Sequence, residues 1–298
     1  MNSHSSLSGL FGALAAYLIW GLSPIYFKAL HAVPPFQILM HRMIWSFVLL
    51  LPMLLLFGRG RAFMAVLRTP RTLLVLTVTT LLVGFNWFLY IWAINNDHIL
   101  QTSLGYFTCP LVSVFLGAVF LRERLRRLQI AAVVLAAGAV LVLTVRQGEF
   151  PWVALSLAVS FAVYGLLRKT AAVEALEGLT METLLMCLPA VVYLIWLAWR
   201  GEGAFGHSSA SVDLLLVGTA LVTAIPLLLF NFGARRLHLT TVGFLQYLAP
   251  SCTFLLAVFV YHETFAPVQG WTFAAIWTAL ALFSLDAVKH YPRFKSAS

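Results

Sequence analysis

The chain has 298 residues, 61% of them hydrophobic and only 10% charged, and its formal net charge is +9. With a mean hydropathy of +0.93, its apolar share far exceeds the roughly 45–50% of soluble domains, which excludes a water-soluble enzyme or a basic nucleic-acid binder. The positive residues lie in short loops between apolar runs, the pattern of a multi-pass protein embedded in a lipid bilayer, with no nucleic-acid partner.

A spanning helix needs about 20 mostly apolar residues. Ten candidate runs follow one another near 9–30, 35–57, 72–94, 99–120, 128–146, 150–168, 180–199, 212–232, 240–261 and 268–287. The fold class expected is an all-α membrane protein with ten transmembrane helices. No Lys or Arg precedes the first run and no small-residue cleavage site follows it, so it is expected to stay as a span rather than act as a signal peptide.

In the second span Arg42 lies about 10 Å along the helix from Pro35 at 1.5 Å per residue. A cation at that depth usually faces a cavity or a partner. Snorkelling to the headgroups is the competing account, and Trp45 and Ser46 on the same helical face favour the cavity. His41 is the deep group that titrates near neutral pH, but it points about 100° away round the helix. In the third span Asn86, Tyr90, Ala93 and Asp97 form a stripe beside Trp87 and Trp92. Asn86 needs a partner near mid-membrane, as helix-to-helix glue or as a substrate contact.

The fourth span places Ser103, Tyr106, Pro110, Ser113 and Gly117 on one helical face. In the ninth, Gly243, Gln246, Pro250, Thr253 and Ala257 match them position by position. Each proline frees the carbonyl four residues earlier, at Tyr106 and Gln246. Both helices are therefore expected to break there and to line a pathway, with close packing of small residues as the alternative.

These matches belong to a duplication. Pro110 pairs with Pro250, Leu116 with Leu256, Glu123 with Glu263 and Gln129 with Gln269 at a constant offset. The first copy's glutamate stands among Arg122, Arg124, Arg126 and Arg127, where the second copy has His262, Thr264, Ala266 and Pro267. Cytoplasmic helix ends collect Lys and Arg, so the two copies should lie on opposite sides of the bilayer. With the N-terminus cytoplasmic, the inside segments hold Arg59, Arg61, Arg68, Arg71, the Arg122–Arg127 cluster, Arg168, Lys169, Arg235, Arg236, Lys289, Arg293 and Lys295. The outside keeps only Lys28, Arg146 and Arg200. The expected architecture is two inverted five-helix repeats, residues 1–146 and 147–298, with both termini cytoplasmic.

Cys109, Cys187 and Cys252 sit singly in apolar stretches and the histidines are scattered, so neither a disulfide framework nor a metal site is expected, and no cofactor. Asp97, Glu263 and Asp286 fall at predicted span ends, Glu123 in a basic loop and Glu182 near the cytoplasmic start of the seventh span. A proton relay through deep carboxylates is therefore not expected.

Over roughly residues 9 to 288 the chain resembles the drug/metabolite transporter superfamily of EamA type, and within it the RarD-type permeases of bacteria. The pieces that carry the resemblance are Trp20-Gly21-Leu22-Ser23-Pro24, His41-Arg42 with Trp45-Ser46, Asn86-Trp87, Ile91-Trp92-Ala93 and Ser103-Leu104-Gly105-Tyr106-Phe107. Tyr164-Gly165 with Arg168-Lys169, Glu182-Thr183, Gly243-Phe244 and Gln246-Tyr247 before Pro250 continue it. The resemblance implies ten helices in two inverted repeats around a shared central cavity, cytoplasmic termini and a permease for small metabolites, often an exporter. This chain departs from the family pattern at Gln37, Gln101 and Cys109, where Glu, Glu and Asn are usual, so two carboxylates are replaced by amides.

The function expected is a secondary transporter in the bacterial inner membrane that exports a small polar or amphipathic metabolite or drug by alternating access. Its substrate-binding candidates are Arg42, Asn86, Tyr90, Ser103, Tyr106, Ser113, Gln246 and Thr253, with helix breaks at Pro110 and Pro250. An intramembrane lipid-modifying enzyme would need a convergent acid, base or nucleophile, and no such set is apparent. A non-transporting scaffold would lack the matched polar faces of the fourth and ninth spans.

Overall fold

The computed structural model describes residues 3–30, 32–95, 99–147, 152–260 and 267–290, and among them all regular structure is helical. The helices are α1 (Ser3–Lys28), α2 (Pro35–Leu56), α3 (Gly60–Arg68), α4 (Pro70–Asn95), α5 (Ile99–Phe120), α6 (Arg127–Gln147), α7 (Trp152–Thr170), α8 (Ala175–Trp199), α9 (Ala210–Arg236), α10 (Leu239–Leu245), α11 (Leu248–Leu255) and α12 (Pro267–His290). Proline opens α2, α4 and α12, at a position whose amide has no partner inside a helix. Seven helices (α1, α2, α4, α6, α7, α8 and α9) are long and apolar enough to cross a bilayer, and shorter apolar stretches run over 105–120 of α5 and 270–286 of α12.

Two features depart from the sequence expectation and a third agrees with it. The segment after α2 is a short helix, α3, whose Phe63 and Val66 tuck under Leu54, Leu76, Val173 and Met181. Nine residues are too few to span, and the segment's exposed arginines hide the helical period of its two buried side chains. The fourth span does not break: α5 continues through Pro110, which is buried within it. The ninth span does break, between α10 and α11 at Gln246 and Tyr247, one turn before Pro250, and α11 passes into a π-turn over Leu256–Val260. A proline removes one helical hydrogen bond, and in α5, which packs closely against α7 and α10, the helix continues without it.

The helices interleave. α1 packs on α9 and α11, just as α7 packs on α4 and α5; α2 packs on α8 and α9, just as α8 packs on α2 and α4. α5 meets α10, and α6 meets α12. Exchanging α1, α2, α4, α5 and α6 for α7, α8, α9, α10–α11 and α12 returns these pairings, whereas the smaller contacts of α9 with α7 and α8 have no comparable counterpart in α4 with α1 and α2.

Specific bonds tie the helix ends into two faces of the bundle. At the basic end, Arg59 beyond α2 pairs with Glu177 at the start of α8. Lys169 near the end of α7 donates to the carbonyls of Ala234 and Leu237 at the end of α9, and Arg126 before α6 pairs with Asp286 near the end of α12. At the opposite end, the Tyr26 hydroxyl near the end of α1 donates to the Leu215 carbonyl near the start of α9. There too the Gln37 amide donates to the Glu202 carbonyl and accepts from the Ala204 amide, each at 3.0 Å. A glutamate at position 37 could accept but not donate, so the amide fits this joint where a carboxylate does not.

Candidate functional site

Five helices converge on Arg42. Its Nε donates to Thr223 Oγ1 of α9 at 2.9 Å, and its Cζ lies 5.2 Å from the ring centroid of Phe27 on α1 and 5.0 Å from that of Trp87 on α4. Tyr90 of α4 and Tyr106 of α5 are its electrostatic neighbours, and their rings stand 5.7 Å apart, edge to face. Tyr106 keeps 44% of its surface free, and Arg42 and Tyr90 are only partly covered, so the cluster is not sealed. Among the described ion pairs none includes Arg42. One turn further along α2, Trp45 Nε1 and Ser46 Oγ are buried without a hydrogen-bond partner. Phe205, from the loop that Gln37 pins, packs on the rings of His41 and Trp45 at 5.3 and 5.8 Å. A guanidinium in an aromatic frame, with no carboxylate paired to it among the described residues, can take an anionic group through paired N–H donors and the flat body of a ligand against the rings.

The matched faces of α5 and α10–α11 meet in a second joint. Gln246, at the break, donates from Nε2 to Cys109 Sγ at 3.1 Å and accepts from Ser113 Oγ at 3.4 Å. A Cβ added at Gly243 would stand 2.9 Å from the Pro110 carbonyl, so only glycine allows the two backbones this approach. Thr253 donates back to the Ala249 carbonyl at 3.1 Å and lies 3.4 Å from that of Gly21. Asn86 uses both N–H groups of its amide on α7, at Leu157 O and Ser160 Oγ, each 2.9 Å, which is a joint between helices. The side chain of Ser103, and the residues Asp97 and Glu263, lie outside the described residues. Of the sequence candidates, the structure thus gathers Arg42, Tyr90 and Tyr106, and separately Ser113 and Gln246.

A third constellation corrects the placement of Glu182 at the start of the seventh span. Arg168 and Glu182 are each only 1% exposed and pair at 3.6 Å. Glu182 also accepts from Thr79 Oγ1 at 2.5 Å and from the Tyr164 hydroxyl at 3.3 Å. Arg168 Nε donates to Asn231 Oδ1 at 3.3 Å, and Asn231 Nδ2 donates to the Tyr164 oxygen at 3.2 Å. Four helices, α4, α7, α8 and α9, are thereby locked around one ion pair. α8 starts at Ala175, earlier than the sequence suggests, which carries Glu182 about 10 Å inside. Gly178 makes room for the pair: a Cβ there would stand 2.0 Å from Arg168 Nη1.

At the basic end Glu123 caps α10. Its carboxylate accepts from the amides of Leu239 and Thr240 at 2.7 and 2.9 Å, beside His238 Nδ1 at 3.7 Å. Burial alone would push this carboxyl up, but the bonds from His238, Thr240 and Leu239 outweigh it and bring it down from 4.5 to about 2. Stability from this cap is fully present above pH about 4.5 and is lost as pH falls toward about 2. Wild-type protein melted at a series of pH values should lose stability across that window, and Glu123→Gln should lose less there while starting lower at neutral pH. Parallel curves for the two proteins would refute the assignment.

The EamA-like transporter family matches this chain twice, over residues 7–145 and 151–285. An uncharacterized transporter of Vibrio cholerae is 50% identical over 288 residues, 97% of this chain and 95% of that one. The protein RarD of Escherichia coli is 44% identical over 97% of each chain. A crystal structure with 22% sequence identity superposes with a TM-score of 0.73 over 97% of this chain and 99% of the other, a likeness of fold.

Proposed function

The chain belongs to the EamA-like transporter family, and from that premise we propose that it is a secondary transporter exporting a small polar or amphipathic metabolite or drug across the bacterial inner membrane by alternating access. The observation that carries the reading is Arg42, a cation inside the bundle with aromatic walls and no carboxylate partner among the described ion pairs. A solute with an anionic group beside an apolar or planar body suits that lining, with Tyr90 and Tyr106 as further contacts and Gln246 at the helix break as part of the moving joint. The pairings that survive exchange of the two halves support ten spans in two inverted repeats, residues 1–146 and 147–298. The bond from the end of α1 at the opposite face, the packing of Gly9 near the start of α1 against Arg236, and the pairing of Asp286 near the end of α12 with Arg126 support cytoplasmic termini. The role is binding and passage, without a catalysed reaction or a cofactor.

Purified protein is first screened by thermal shift against small anionic and amphipathic solutes. Those that stabilise it are then offered to liposomes carrying the protein in a known orientation, with and without a pH gradient. At least one solute should move several-fold faster than through protein-free liposomes, preferentially from the basic face outward. Flux equal to that of empty liposomes for every stabilising solute would leave a binding protein and sink the transporter reading.

A further inference from the structure

Apart from the Arg42 cluster, a cavity of about 340 Å³ opens at the basic end among the α5–α6 loop, the end of α7 and the α9–α10 turn. Arg122, Arg124, Lys169, Arg235 and His238 line it, with Glu123 as the acid among them. Most of these charges are already engaged. Lys169 serves the carbonyls that end α9, Arg235 pairs with Glu174 at 3.1 Å, and Glu123 faces the α10 amides and His238. Arg122 and Arg124 are exposed, and among the described residues neither makes a hydrogen bond or an ion pair. The cavity therefore presents two uncommitted guanidinium groups.

The backbone adds an independent observation. α5 ends in a cap in which the Glu123 amide bonds the Gly117 carbonyl at 3.1 Å, and the residue before it, Arg122, has φ of 53°. Where a helix ends in that left-handed position, glycine is the usual occupant, because a Cβ is strained there. Arg122 is the only described non-glycine residue with positive φ. Strained backbone of this kind collects at ligand sites, so the arginine stands where turn geometry alone favours glycine.

We propose that this cavity is a binding site for the phosphate of an anionic phospholipid headgroup, held by Arg122 and Arg124. Arginine matches phosphate oxygens through paired N–H donors, and basic pockets between membrane helices take such headgroups. A lipid, rather than free phosphate, is indicated by the apolar surface on either side of the loop, where Phe120 is 64% exposed, Leu128 41% and Ile130 47%. Leu121 and Leu237 continue that surface into the cavity itself. A headgroup seated here would touch the α5–α6 loop and the α9–α10 turn at once, and so bridge the two halves.

The test measures the melting midpoint of the full chain in phosphatidylcholine nanodiscs as phosphatidylglycerol is added, with inorganic phosphate as a separate arm. Phosphatidylglycerol should raise the wild-type midpoint by several degrees, and inorganic phosphate should not. Arg124→Gln should lose at least half of that gain. Arg122→Gly should lose it too, yet melt at an equal or higher temperature in pure phosphatidylcholine, because glycine relieves the strained cap. Arg61→Gln, on exposed α3 and outside the cavity, should keep the full gain. The proposal is overturned if phosphatidylglycerol has no effect, or if both cavity variants respond like wild type. Equal loss in Arg61→Gln would show diffuse attraction to an anionic surface instead, and a shift reproduced by inorganic phosphate would show a free-anion site.

Discussion

Glu182→Ala is expected to be among the most destabilising single substitutions in this chain, lowering stability by about 3–5 kcal/mol, the usual effect of removing one partner from a buried ion pair. Arg168 would be left 1% exposed with its charge unmatched, and Thr79 and Tyr164 would each lose an acceptor. Gly178→Val should behave similarly without touching a charge, since its side chain would occupy the seat of the guanidinium. A double replacement separates charge from shape. Arg168→Met with Glu182→Gln removes both charges while keeping bulk, and should recover much of what either single change loses, because buried pairs exchanged for neutral groups of similar volume are often tolerated. Melting of detergent-purified protein, followed by tryptophan fluorescence, reads Glu182→Ala, Gly178→Val, the double variant and its two component singles, Arg168→Met and Glu182→Gln. If the double variant loses as much as the two singles added together, the pair is not what joins these helices.

The second large effect is expected at Arg42, and here in function rather than stability. Its side chain is held by Thr223 and flanked by Phe27 and Trp87, a geometry unlike that of an arginine reaching for headgroups. Arg42→Lys keeps the charge but loses the planar fork, and an anion contact should weaken by about 1–3 kcal/mol, roughly 5- to 150-fold in Kd. Arg42→Gln should weaken it at least as far. Titration of a stabilising anionic solute into each purified variant measures this directly. A lysine variant that binds as tightly as wild type would make residue 42 an interchangeable point charge and remove it from recognition.

The all-helical membrane class was legible because it is written in one dimension. Apolar runs, the charges between them and the recurrence of Pro110 and Glu123 at Pro250 and Glu263 need no knowledge of which helix touches which. Arg42 was legible for the same reason, since its depth follows from counting along one helix. Its partner Thr223 was not, because a threonine in an apolar helix ordinarily bonds its own preceding turn, as Thr180 and Thr272 do. The Arg168–Glu182 network was hidden further still. Both residues fall near the ends of their apolar runs in the sequence, where a charge normally means a headgroup contact, and Thr79 and Asn231, which complete their burial, come from distant helices. Asn86 and Gln246 show the reverse: a polar residue inside a span is conspicuous in sequence, but only packing tells that one clamps α7 and the other grips Cys109 across a helix break.

The interleaving of the halves bears on how the chain is made. When synthesis has reached Gln147, α1 still lacks α9 and α11, α2 lacks α8, and α6 lacks α12, while α4 and α5 have yet to meet α7. A nascent first half would then hold only the pairings of α4 with α3 and α5 and of α5 with α6, and its other small and polar faces would be left open until the second half arrives. Assembly must therefore wait for helices of the second half, beginning with α7 against α4 and α5 and α8 against α2, and ends only when α12 meets α6. Two polypeptides divided at this point would be stable only when produced together.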